Sequence, residues 1–79
     1  MNAKRSFTLA GHRTSVALEA EFWQALEEIA AERGLSLAAL IGDIDQERSS
    51  ANLASACRTT VLQFYRDRSH SNQNSSGPG

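Results

Sequence analysis

A single cysteine, Cys57, stands among the 79 residues, which excludes an intramolecular disulfide and a CxxC-type metal staple. No apolar stretch approaches the roughly 20 residues of a membrane span, and residues 1–12 hold no run resembling a secretory h-region. A cytoplasmic protein without a membrane partner is therefore expected. The sequence also lacks a glycine-rich phosphate loop, an internal repeat and a long linker. Charge of one sign is missing too: 8 Lys+Arg against 9 Asp+Glu leave a formal −1. Averaged over the chain, a pI near 6.0 argues against a polybasic nucleic-acid or membrane binder. What is left is one small domain, 41% hydrophobic, of a length at which burial is scarce. Self-association is the expected extra source of stability.

The average charge hides a gradient. Residues 1–18 carry Lys4, Arg5 and Arg13 and no acid, whereas residues 19–33 carry Glu19, Glu21, Glu27, Glu28 and Glu32 against Arg33 alone. Asp43, Asp45 and Glu47 outweigh Arg48, and Arg58, Arg66 and Arg68 outweigh Asp67. Positive charge sits at the amino end with the acids behind it. Residues 69–79 hold no apolar side chain and cannot offset their ordering entropy by burial, so 67–79 is predicted to be a disordered polar tail.

Arg13 to Leu18 alternates, with Thr14, Val16 and Leu18 on one face and Arg13, Ser15 and Ala17 on the other. Period two with β-branched residues predicts a short strand. Lys4 to Leu9 alternates as well, and residues 1–12 read as a basic arm or a short extra strand, with a turn at Gly11-His12. From Glu21 the period becomes helical: Phe22, Leu26, Ile29, Ala30 and Arg33 form a stripe. Gly34 suits a left-handed helix stop and Ser36 an N-cap, so a second helix is expected through Leu37, Leu40, Ile41 and Ile44 to about Arg48. A break at Ser49 to Asn52 precedes a third helix, marked by Leu53, Cys57, Val61, Phe64 and Tyr65 and ending near Arg66. The expected domain thus spans 13–66 and is mostly α with one short strand.

A lone strand leaves its ladder groups unpaired, and its open edge is a template for another chain. Antiparallel pairing with the same strand of a second copy would satisfy both chains and give an intertwined homodimer with an intermolecular two-stranded ribbon. Val16, Leu18, Phe22, Leu26, Leu40 and Ile41 are the expected dimer core. The order Thr14-Ser-Val-Ala-Leu18, Phe22-Trp23, Gly34-Leu-Ser36 and Leu40-Ile41 resembles the ribbon-helix-helix fold of the Arc and MetJ repressor superfamily. With Gly11-His-Arg-Thr-Ser15 and the segment from Asn52-Leu53 to Val61-Leu62, it is similar to a small bacterial branch of that family over about residues 4–66.

The resemblance implies a homodimeric, sequence-specific DNA-binding transcriptional regulator whose ribbon enters the major groove. Arg13 would then reach guanine O6 and N7, Ser15 a base edge and Ala17 a thymine methyl; a solvated strand face is the plainer reading of the first two. Ala17 departs from the polar residue often found on such a face. The resemblance also implies a phosphate clamp at the start of the second helix, at Ser36 and the amide of Leu37, where a plain N-cap is the alternative. Lys4 and Arg5 would add phosphate contacts from an arm or serve as a soluble terminus. Two chains bring two copies each of Lys4, Arg5 and Arg13, near the roughly 6 to 10 phosphate contacts that make binding steeply salt dependent. Higher-order assembly on DNA would raise a modest affinity.

His12 and His70 have no Cys or Asp partners at ligand spacing, Cys57 reads as a small core hydrophobe, and Asp43, Asp45 and Glu47 lack a calcium-loop pattern. Trp23 reads as a core or dimer-edge aromatic. No metal, no cofactor and no catalysis are expected. The competing function is a protein-interaction module, such as an antitoxin, docking a partner through Leu53 to Arg66.

Overall fold

A computed structural model describes residues 2–49 and 52–76, with side chains through Ser69. The element order is β1 (Asn2–Leu9), β2 (His12–Glu19), α1 (Ala20–Arg33), α2 (Leu37–Glu47) and α3 (Leu53–Ser76). No described helix is long and apolar enough to cross a membrane.

The alternation in residues 4–9 resolves as a full strand. β1 and β2 form an antiparallel hairpin in the register Lys4↔Ala17, Ser6↔Ser15 and Thr8↔Arg13. The loop is Ala10-Gly11, one residue earlier than Gly11-His12, and both take positive φ, 50° and 82°. Two positive φ values in a two-residue loop match the right-handed twist of the flanking strands; Gly11 adopts its value freely, and Ala10 holds it at about 1 kcal/mol. β2 therefore finds a partner in its own chain rather than standing alone. Only its opposite edge remains for a second copy.

Each helix begins and ends for a local reason. Gly34, at φ 70°, caps α1, with its N–H donating to Ala31 O at 3.2 Å and the Leu35 N–H to Ala30 O at 2.8 Å, the paired bonds of a Schellman stop. Ser36 Oγ accepts from the Ala39 N–H at 3.1 Å to open α2, and Asn52 Oδ1 accepts from the Ser55 N–H at 2.8 Å to open α3. In the expected break before α3, Ser50 and Ala51 lie outside the described residues. α3 continues beyond Arg66 through Ser76, where composition alone predicts disorder from Asp67; residues 77–79 lie outside the described residues. Propagating an existing helix adds one hydrogen bond per residue fixed, and Arg68 donates to Glu32 on α1, which ties the extended part to the body.

The core lies between the inner face of the hairpin and the three helices. Leu18, Leu26, Ile29, Leu40, Ile41 and Cys57 are fully buried. The expected dimer-core residues Val16, Leu18, Leu26, Leu40 and Ile41 are thus covered within one chain. Phe22, expected among them, is only partly buried against the core, and the neighbouring Trp23 takes the interior position. The reason is a hydrogen bond: Trp23 Nε1 donates to Ala3 O at 2.7 Å, and Phe7 packs its ring 5.9 Å from the indole. Burial pushes the Cys57 thiol up to about 11.

Candidate nucleic-acid interface

Directly opposed residues in an antiparallel pair share a face. The register therefore gathers Arg13, Ser15 and Ala17 of β2 with Lys4, Ser6 and Thr8 of β1 on one outer surface, and all six are exposed. Arg13 and Lys4 form no ion pair among the described residues. The hydroxyls of Ser6 and Ser15 lie 3.1 Å apart, so each constrains the orientation of the other. Ala17 leaves a shallow spot beside Lys4. The result is an exposed strand face with two cations among small polar groups, chemistry suited to groove edges and phosphates.

The one acid at its margin is restrained. Glu19, opposite Asn2, accepts from Arg58 Nε at 3.1 Å and from Arg58 Nη2 at 3.2 Å, a two-pronged pair from α3. A hydrogen bond from its own backbone amide, then the Arg58 hydrogen bond, hold the Glu19 carboxyl below its ordinary value. Neither composition nor periodicity points to Arg58 in this role. Its spacing to Glu19 is too long for any local pattern, and only the packing of α3 beside β2 brings them together.

Arg5 is placed differently from the arm expected of it. It belongs to the inner face, opposite Val16; its guanidinium carbon stands 4.9 Å from the Trp23 ring centroid and Nη1 donates to Glu27 Oε2 at 2.8 Å. Lys4 and Arg13 are the cations that share the outer surface. Ser36 Oγ accepts from the Ala39 amide and keeps its own O–H, so at the start of α2 the donors facing outward for an anion are that hydroxyl and the N–H groups of Leu37 and Ala38.

Concavities among the described residues lie elsewhere. A cleft of about 540 Å³ is bordered by Glu32, Asp43, Glu47, Thr60, Asp67 and Arg68, with no strand residue in its lining. A smaller apolar groove of about 330 Å³ runs along α3 past Phe22, Arg58, Val61, Leu62 and Tyr65. Leu62 and Tyr65, 58% and 38% exposed, are the large apolar side chains left open among the described residues. The Tyr65 hydroxyl donates to Glu28 Oε1 at 3.0 Å, which raises its pKa. No group of three or more His, Cys, Asp or Glu among the described residues could hold a metal ion.

A sequence model of the ribbon-helix-helix domain matches residues 2–65. Among solved structures, an uncharacterized protein from Bordetella pertussis Tohama I is similar, with a TM-score of 0.78 and 33% identity over 90% of this chain and 61% of that one. This chain thus spans less than two thirds of the length of that relative. No curated protein matches.

Proposed function

Since the chain belongs to the ribbon-helix-helix domain family, we propose that it is a sequence-specific DNA-binding transcriptional regulator that acts as a homodimer. The observation that carries this reading is the outer face of the hairpin, where Arg13, Ser15, Ala17 and Lys4 stand exposed together while the nearby Glu19 is held by Arg58.

The dimer uses the free edge of β2. A two-residue loop makes Leu9 and His12 a hydrogen-bonded pair, and the antiparallel ladder alternates from there. The backbone N–H and C=O of Arg13, Ser15 and Ala17 consequently point away from β1, toward the open edge. Antiparallel pairing with β2 of a second copy brings both sets of these side chains side by side, as a unit for the major groove. The N–H groups of Leu37 and Ala38 clamp a phosphate beside Ser36.

Arg13→Ala is the test. Specific binding to a selected duplex should fall by about 1–3 kcal/mol, with relaxed preference at one base pair per half-site, while the protein stays folded and dimeric by circular dichroism and sedimentation. Unchanged preference would remove Arg13 as the reader.

A second reading, a protein-docking module, is favoured by Leu62 and Tyr65 open beside Phe22 on α3. The two separate by substitution. Leu62→Ala that abolishes a stoichiometric protein complex and spares DNA binding supports docking; loss of DNA binding in Arg13→Ala alone supports the first.

A further inference from the structure

The hairpin sets a width problem for any ribbon that enters DNA. Pairing through the free edge of β2 gives the strand order β1-β2-β2-β1, and at about 4.8 Å per strand the two outer strands stand roughly 14 Å apart. The major groove is about 12 Å wide and admits two strands. Four cannot enter it together. Either β1 leaves when DNA binds, or it rides over the groove walls.

Besides its ladder with β2 and the Phe7 ring against Trp23, three contacts hold β1 to the helices and the core. Trp23 donates its indole N–H to Ala3 O at 2.7 Å, Arg5 is fixed between Glu27 and the Trp23 ring, and Leu9 is buried in the core, 7% exposed. Detaching the strand would break all three and uncover Leu9 and Phe7. We infer that β1 stays paired on DNA and that Lys4 and Thr8, on its outer face, grip the phosphates along the two walls of the groove that β2 reads. The register fixes the arrangement: Thr8 lies beside Arg13 and Lys4 beside Ala17, so each base-reading residue at an end of the ribbon has a backbone-gripping neighbour one strand out. Ser6 lies between Lys4 and Thr8, its hydroxyl paired with that of Ser15 on the reading strand. This inference rests on the DNA-binding reading above and adds the strand that reading leaves unused.

The experiment locks β1 to β2. Ser6 and Ser15 are a non-hydrogen-bonded pair, for which Cα atoms are about 4.5 Å apart, within disulfide range. The double variant Ser6→Cys with Ser15→Cys can be compared with itself, reduced and oxidised, on random-sequence duplex DNA. The native thiol, Cys57, is buried and does not compete. Equal affinity and equal salt slope in the two redox states are expected. Adding Lys4→Ala to the locked protein should lower the slope of log K against log salt by about 1.8 per dimer, one phosphate for each chain; Thr8→Ala should weaken all sequences alike. Loss of binding on oxidation, or an unchanged slope in the Lys4→Ala protein, overturns the inference. Wild-type protein with no affinity for duplex DNA overturns the DNA-binding reading as well, so the two failures are distinguishable.

Discussion

The two faces of one hairpin carry opposite chemistry on the same two strands. The inner face presents Leu9, Val16 and Leu18 to the helices, with Arg5 set against an aromatic ring and a carboxylate. The outer face, offset by a single residue along the same strands, presents Lys4, Ser6, Thr8, Arg13, Ser15 and Ala17 to solvent. Period two in a strand assigns burial to one set and, on the function proposed above, recognition to the other. A substitution one position along should therefore change which property fails.

That contrast is sharpest for adjacent residues. Leu18→Ala, at a site with no exposure, should destabilise by about 2–5 kcal/mol, read as a drop in the urea midpoint, whereas Ala17→Ser should stay within about 0.5 kcal/mol. Equal losses at both would break the division of labour. Next in size, Arg13→Ala should leave the urea midpoint nearly unmoved, its whole effect falling on DNA affinity. Trp23→Phe keeps an aromatic ring inside but removes the donor to Ala3 O; a loss of about 1 kcal/mol is expected, with faster amide exchange in β1 than in β2 by NMR. Uniform exchange across the hairpin would show that this bond does not anchor β1.

The smallest effect concerns acid. The Glu19 carboxyl titrates below its ordinary 4.5 in the folded protein, so the folded state binds that proton less readily than the unfolded chain. Its contribution is complete above about 4.5 and is lost as the pH falls through the folded value. Glu19→Gln should flatten the decline of stability as the pH falls below about 4.5, measured as the urea midpoint at each pH. The same steepness in both proteins would assign the acid sensitivity to other carboxylates.

Much of this was legible from residue order, and the misses have physical causes. Val16 and Leu18 alternate against Ser15 and Ala17, so β2 and its faces follow from period two. Gly34-Leu-Ser36 marks the stop of α1 and the start of α2 because each residue type suits a cap that the structure contains. β1 was ambiguous because its outer residues are polar and basic, as an arm's would be, and because Ala10-Gly11 is a weak hairpin signal beside Asn-Gly. Phe22 fits the helical stripe as well as Trp23 does, and only the acceptor at Ala3 O decides which ring turns inward. Arg5 counted as a free cation in the charge sum, since a sum cannot register that Glu27 and Trp23 lie across from it. The length of α3 escaped because a composition rule tests whether a segment can fold alone, not whether it can continue a helix already packed.

Cys57 carries one more consequence. With its thiol fully buried and its pKa pushed up to about 11, it holds little thiolate at neutral pH and offers no surface to a reagent. A single protected thiol in a chain of 79 residues is a natural clock for structural opening: alkylation by iodoacetamide proceeds only through conformations that expose α3, so its rate in the native protein reports how often that helix lifts from the body.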